Sequence, residues 1–155
     1  MLFHSKVLRI TDALEEFQVQ YVVVGGVAII MHGNSRFTED VDLFVKNTPE
    51  NVEKLQRALQ VVYPDDEYIK EITTDELTDY PVIRYGTPDL FYIDVIDRIG
   101  TMFTFDDIES EVVNYEDHTV RIATAETLYK MKKDTLRLKD KMDCVFLEYK
   151  IRGGK

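Results

Sequence analysis

The chain has 155 residues, 45% of them hydrophobic, and its 29 acidic residues outweigh 19 basic ones to give a formal net charge of −10. That length fits one domain with a real core, and the charge argues against a general nucleic-acid coat protein. No apolar run approaches the roughly 20 residues that span a bilayer, and Met1 to Lys6 carries no secretion-signal core. The single cysteine, Cys144, excludes an internal disulfide framework and suits a reducing cytoplasm, so a cytoplasmic protein without membrane contact is expected.

Residues 5 to 18 repeat Val7, Leu8, Ile10, Leu14 and Phe17 at helical spacing and predict an amphipathic opening helix. Tyr21 to Val24 is a continuous β-branched run and predicts a buried strand. Gly25-Gly26 then permits a sharp turn and a close backbone approach to a ligand, because neither residue has a Cβ. Val27 to His32 predicts about two helical turns, whose free amides at the start would attract phosphate. Gly33-Asn34-Ser35 reads as the stop and turn.

Val41, Leu43 and Val45 alternate with Asp40, Asp42 and Phe44, which predicts a strand. Side chains two apart on a strand share a face, so Asp40 and Asp42 point the same way. Two carboxylates held together repel unless a cation joins them, and hard oxygen donors suit magnesium, especially where phosphates complete the shell. Thr48 and Pro49 read as the cap and first position of a second long helix with Val52, Leu55, Leu59 and Val62 as its buried stripe; it ends at Tyr63 to Asp66.

From Ile69 to Thr73 a strand is expected, and from Thr74 to Asp79 a short helix capped by Thr74 or Asp75. Pro81 to Tyr85 and Leu90 to Ile96 predict a hairpin around a turn at Gly86 to Asp89, its second arm carrying Asp94. Residues 97 to 111 read as a loop with a helical turn near Phe105 to Ser110. A second hairpin, Val112 to Tyr115 and Thr119 to Ile122, follows. Thr124 then opens a last helix to about Tyr149, with Leu128, Met131, Leu138, Met142, Val145, Phe146 and Tyr149 as its apolar stripe. Lys132, Lys139 and Asp143 lie at one edge of that stripe, and Arg137 projects away from it. Residues 124 to 155 hold nine Lys or Arg against five Asp or Glu, or +4, which leaves −14 for the rest. A basic helix beside an acidic body is a plausible seat for a triphosphate.

Gly25-Gly26, then Arg36, Thr38, Asp40 and Asp42, resembles the nucleotidyltransferase superfamily with the DNA polymerase beta-like catalytic fold. The pattern is most similar to a small prokaryotic branch that includes abortive-infection toxins of the type IV toxin–antitoxin kind. The resemblance implies an α/β (α+β) nucleotidyltransferase fold: a small mixed β-sheet, helices packed on one side and a C-terminal helix. Residues 1–123 would form the catalytic domain and residues 124–155 a helix packed on it, in a single domain overall. The family's third carboxylate would be Asp94. The implied catalytic and metal-binding set is then Asp40, Asp42 and Asp94, with two magnesium ions expected and manganese as the other candidate. Asp94 would also lie near the acceptor hydroxyl and take its proton.

Gly25, Gly26, Ser35, Arg36 and Lys132 would bind the nucleotide, ATP or another triphosphate. Arg36 has a second reading, holding the Asp-bearing strand through a carboxylate. Lys132 rests on a run ending in Arg137, Lys139, Asp140 and Asp143 that is similar to the family's C-terminal helix. The implied reaction moves a nucleoside monophosphate to an acceptor hydroxyl of RNA such as tRNA, a protein or a small molecule. An antitoxin is the implied partner.

Each residue also has a blander reading. Asp-x-Asp alone is more often a pair of solvated aspartates at a strand end, and the glycines make a tight turn in any case. Ser35 is an ordinary turn residue, Lys132 and Lys139 suit a solvated face, and Asp140 and Asp143 suit salt bridges better than metal. His32 suits capping or packing, Cys144 a core thiol, and Tyr85 and Tyr92 packing rather than base stacking. The rival function is a catalytically inactive protein on the same fold that binds nucleotide or a protein partner. Two departures bear on the acceptor: relatives often carry serine at the second glycine, and larger ones carry a further acceptor-binding extension.

Overall fold

A computed structural model describes residues 3–133 and 138–154 of the chain. The opening helix α1 (Phe3–Glu16) buries Val7, Leu8, Ile10 and Leu14, the stripe its spacing dictates. Strand β1 (Tyr21–Val24) is buried along its whole length and runs directly into helix α2 (Gly25–Met31). The glycine pair is thus the first turn of α2 and not a turn ahead of it. The alternating segment forms β2 (Asp40–Val45). Helix α3 (Pro49–Val62) starts as its sequence requires, with the Thr48 side chain accepting from the Asn51 amide and Pro49 in the first turn.

Glu67–Glu71 is a 3-10 turn and not the expected strand, because Asp66 caps it by accepting from the Tyr68 amide and its one buried side chain is Ile69. Helix α4 (Thr74–Asp79) follows, capped by Thr73 rather than by Thr74 or Asp75. The hairpin is β3 (Val82–Gly86) and β4 (Tyr92–Ile96). The expected loop contains a two-stranded ribbon, β5 (Arg98–Ile99) and β6 (Phe103–Thr104), and a 3-10 turn at Phe105–Asp107. The second hairpin is β7 (Ser110–Tyr115) and β8 (His118–Ala123), with Glu116 and Asp117 both at positive φ in its turn.

The long last helix is two helices, α5 (Ala125–Lys132) and α6 (Leu138–Ile151). Leu147 is fully buried, but Met142, Val145 and Tyr149 of the expected stripe are 64%, 71% and 57% exposed. In their place α6 buries Asp140 and Asp143. Lys139 is exposed. Arg137 lies outside the described residues.

Six strands form one mixed sheet in the order β3-β4-β2-β1-β8-β7. Strand β2 runs antiparallel to β1 and parallel to β4, while β3 is antiparallel to β4 and β1 parallel to β8. Val41, Leu43, Ile93 and Val95 are fully buried on the face opposite the aspartates. Asn51 joins α3 to the sheet: its Oδ1 accepts from the Gln20 amide at 2.7 Å, and its Nδ2 donates to Gln20 and Lys46 carbonyls. That arrangement satisfies a buried amide at every position and anchors the start of β1 to the end of β2.

Candidate active site

The register of three strands builds the site. Asp42 pairs with Asp94 across β2 and β4, and Asp94 pairs with Arg84 across β4 and β3. Asp40 lies two residues before Asp42, on the same face. The three carboxylates expected to converge therefore do so. The fourth member of the row, Arg84, was not anticipated.

Asp42 is the most enclosed of the three. Burial pushes its carboxyl up to about 7; the Asp94 charge, a hydrogen bond shared with Asp94 and the Asp40 charge add to the rise, and Lys132 opposes it. Gly25 makes this position possible. It has φ +68, and a Cβ there would run into Asp42 Oδ2. Gly26 is less constrained, its nearest neighbour being Thr38 Oγ1 at 2.9 Å from a hypothetical Cβ. The pair thus shapes the carboxylate row as well as starting α2.

Arg84 spans the other two carboxylates. Its Nε donates to Asp94 Oδ1 at 3.0 Å and its Nη2 to Asp40 Oδ2 at 2.9 Å. The guanidinium lies 4.2 Å from the centre of the Tyr92 ring, a cation–π contact. Tyr92 therefore serves Arg84, and Tyr85 is a packed core residue whose hydroxyl donates to Asp66.

The C-terminal helices reach the site electrostatically through Lys132, whose charge acts on Asp42. Lys132 Nζ lies 2.8 Å from Asp140 Oδ1 and 3.3 Å from Asp143 Oδ2. Asp143 also accepts from Arg36 Nη1, so Arg36 holds α6 and not the Asp-bearing strand. Asp140 and Asp143 act as salt-bridge partners, as their sequence context suggested. Ser35 is exposed on the connection between α2 and β2. His32 is buried, with Nε2 2.8 Å from the Ala123 carbonyl, and packs rather than reacts. Cys144 is half-buried, and burial raises its thiol above the usual range.

The donor set is all carboxylate oxygen, which in kind suits a hard divalent cation. Among the described residues, however, no group of three or more His, Cys, Asp or Glu side chains stands ready around one metal position. The Arg84 guanidinium occupies the space between Asp40 and Asp94.

A mixed sheet carrying this acidic row beside a glycine-led helix is a nucleotidyltransferase fold, shared with several solved structures. One is the lincosamide antibiotic adenylyltransferase LnuA, solved with lincomycin bound: TM-score 0.61, 16% identity, 93% of this chain and 95% of that chain covered. Another is an antigenic nucleotidyltransferase-like protein from Paracoccidioides brasiliensis, at TM-score 0.58 and 17% identity over 90% of this chain and 74% of that one. A third is JHP933 from Helicobacter pylori, at TM-score 0.51 and 17% identity over 94% and 64%.

The chain itself belongs to the nucleotidyl transferase AbiEii toxin family of type IV toxin–antitoxin systems, whose family model matches residues 7–142. No curated protein matches it in sequence. No helix among the described residues is long and apolar enough to cross a membrane.

Proposed function

We propose that the protein transfers a nucleoside monophosphate from a nucleoside triphosphate to an acceptor hydroxyl, with release of pyrophosphate, at Asp40, Asp42 and Asp94. The observation that supports this most directly is the Asp42–Asp94 pairing across parallel strands, with Asp40 on the same face. These three side chains are the ones that would hold divalent cations, magnesium first and manganese second. Such ions, when bound, neutralise charge on both sides of the reacting phosphorus.

The protein's own groups divide the remaining work. Lys132, whose charge acts on Asp42, is the proposed cationic contact for phosphate oxygens, and the amides that open α2 are proposed as further donors. In this reading Asp94, between Asp42 and Arg84 in the strand register, orients the acceptor hydroxyl and takes its proton. Ser35 and Gly26 are proposed as further triphosphate contacts. Arg36 acts indirectly, by fixing the helix whose Asp143 positions Lys132.

The family makes a toxin role and an antitoxin partner the biological setting proposed here. The acceptor is an RNA such as tRNA, a protein or a small molecule. A chain of similar length with this fold binds lincomycin, which supports the small-molecule option as far as size goes. The acidic body counts mildly against a large RNA.

The test is incubation with each labelled triphosphate, magnesium, and total cell RNA, protein or small-molecule hydroxyl acceptors. Wild type should label one acceptor class, and Asp42→Asn should reduce transfer at least a hundredfold. Equal transfer by the variant would reject the assignment. Nucleotide binding without transfer to any acceptor would favour the rival reading, a binding module on this fold.

A further inference from the structure

Arg84 has no place in the chemistry above, yet it is bonded within the carboxylate row. One guanidinium bonds two of the three proposed metal ligands, Asp94 at 3.0 Å and Asp40 at 2.9 Å. A divalent cation shared by those carboxylates would need the same lone pairs and much of the same space. Guanidinium and metal therefore exclude one another.

The contact is also built to let go. The Arg84 side chain is 53% exposed, on an edge strand of the sheet, so it can leave without disturbing the core. Ion pairs this exposed contribute less than about a tenfold factor to an equilibrium, and a divalent cation on several carboxylates exceeds that. Tyr92 beneath the guanidinium gives the side chain a face to slide along.

We propose that Arg84 is a resident counter-ion that holds Asp40 and Asp94 in the metal-free protein, is displaced from them by the divalent cations, and then binds the triphosphate. Strand β3 keeps it beside Asp94 after release, and a planar guanidinium favours bidentate contact with phosphate oxygens over Lys-like point contact. Metal and nucleotide binding are thereby coupled. Metal alone must compete with Arg84, whereas metal with triphosphate gives the displaced charge a new partner. This rests on the proposed metal site and extends it to a nucleotide contact.

The experiment titrates manganese into the full chain, following free ion by electron paramagnetic resonance, for wild type, Arg84→Gln, Arg84→Lys and Asp42→Asn. Circular dichroism checks that each is folded. Without nucleotide, Arg84→Gln should bind manganese three- to tenfold more tightly than wild type, by the bound set above. With a non-hydrolysable triphosphate analogue and saturating metal, the same variant should bind the analogue several-fold more weakly, and Arg84→Lys should lie between.

Unchanged or weaker manganese binding by Arg84→Gln would overturn the proposal, since Arg84 would then organise the ligands instead of competing for them. Unchanged affinity for the analogue would overturn the transfer to phosphate. No manganese binding by wild type, or equal binding by Asp42→Asn, would overturn the metal site itself and this inference with it.

Discussion

Gly25 and Gly26 look interchangeable in sequence but have different jobs. Gly25 has a positive φ and lies against the Asp42 carboxylate. An alanine there costs about 1–2 kcal/mol for the left-handed backbone alone, and its methyl must also displace Asp42. A Cβ at Gly26 would meet Thr38 first, at 2.9 Å from Oγ1 and 3.1 Å from Cβ, so a small shift of that half-exposed connection accommodates it, and alanine has the higher helix propensity. Gly25→Ala should therefore lower stability by at least about 2 kcal/mol and remove transfer, while Gly26→Ala changes stability by less than about 1 kcal/mol. Urea denaturation of both variants checks this, and equal effects would remove the special role of Gly25.

The residue that sequence reasoning missed, Arg84, was hidden by register. A four-residue turn at Gly86 to Asp89 would set Pro81, not Arg84, opposite Asp94. The actual loop is longer: Thr87 bonds the Phe91 carbonyl through both its amide and its hydroxyl, Leu90 takes φ +69, and Gly86 pairs with Tyr92. Pairing shifts, and a basic side chain lands beside the acids. Only the basic residue alternating within the first arm hinted at it.

At the level of elements, the C-terminal segment departs furthest from expectation. Its apolar residues at helical spacing suggested one continuous helix packed by that stripe. The chain instead makes two helices that pack on each other, and α6 presents Asp140, Asp143 and Leu147 to the protein. Two cations explain the rotation. Arg36 and Lys132, one from the connection before β2 and one from α5, both need carboxylate partners, and buried or half-buried cations left alone are far more expensive than exposed methyl groups.

Leu147→Ala should thus cost about 2–4 kcal/mol, whereas Val145→Ser changes stability by no more than about 0.5 kcal/mol. Chemical denaturation measures both. Similar losses would mean that α6 packs by its apolar stripe after all. The short 3-10 segment after α3 follows the same logic on a smaller scale: the Asp66 cap closes a turn where Ile69 to Thr73 had the composition of a strand.

Across the whole molecule, the acidic row sets how stability responds to pH. Asp42 in the folded protein titrates near 7, above its ordinary value of 3.8, because burial and its neighbours Asp94 and Asp40 disfavour its charge and Lys132 only partly compensates. A folded pKa above the unfolded one gives stability that is fully present below about pH 4 and lost as pH rises through about 7. Asp107 has the opposite sign, its carboxylate held low by Thr104, but it is a surface contact. Metal-free protein should therefore melt at a lower temperature at pH 8 than at pH 5, and Asp42→Asn should flatten that difference. Thermal melts with a chelator present give the answer, and an unchanged slope in the variant would assign the dependence elsewhere.

Alternation and helical spacing in the sequence were enough to determine the opening helix, the capped α3, both hairpins, and the common face of Asp40 and Asp42, since these depend on neighbours a few residues away. The family pattern added Asp94, whose place beside Asp42 the parallel pairing of β2 with β4 then made concrete. Tertiary structure decided which residue faces Asp94 from β3, how α6 is rotated, and what holds Arg36. Each of those depends on contacts between distant parts of the chain, Arg36 with Asp143 being 107 positions apart. Local periodicity carries no information about a charge that will arrive from another element.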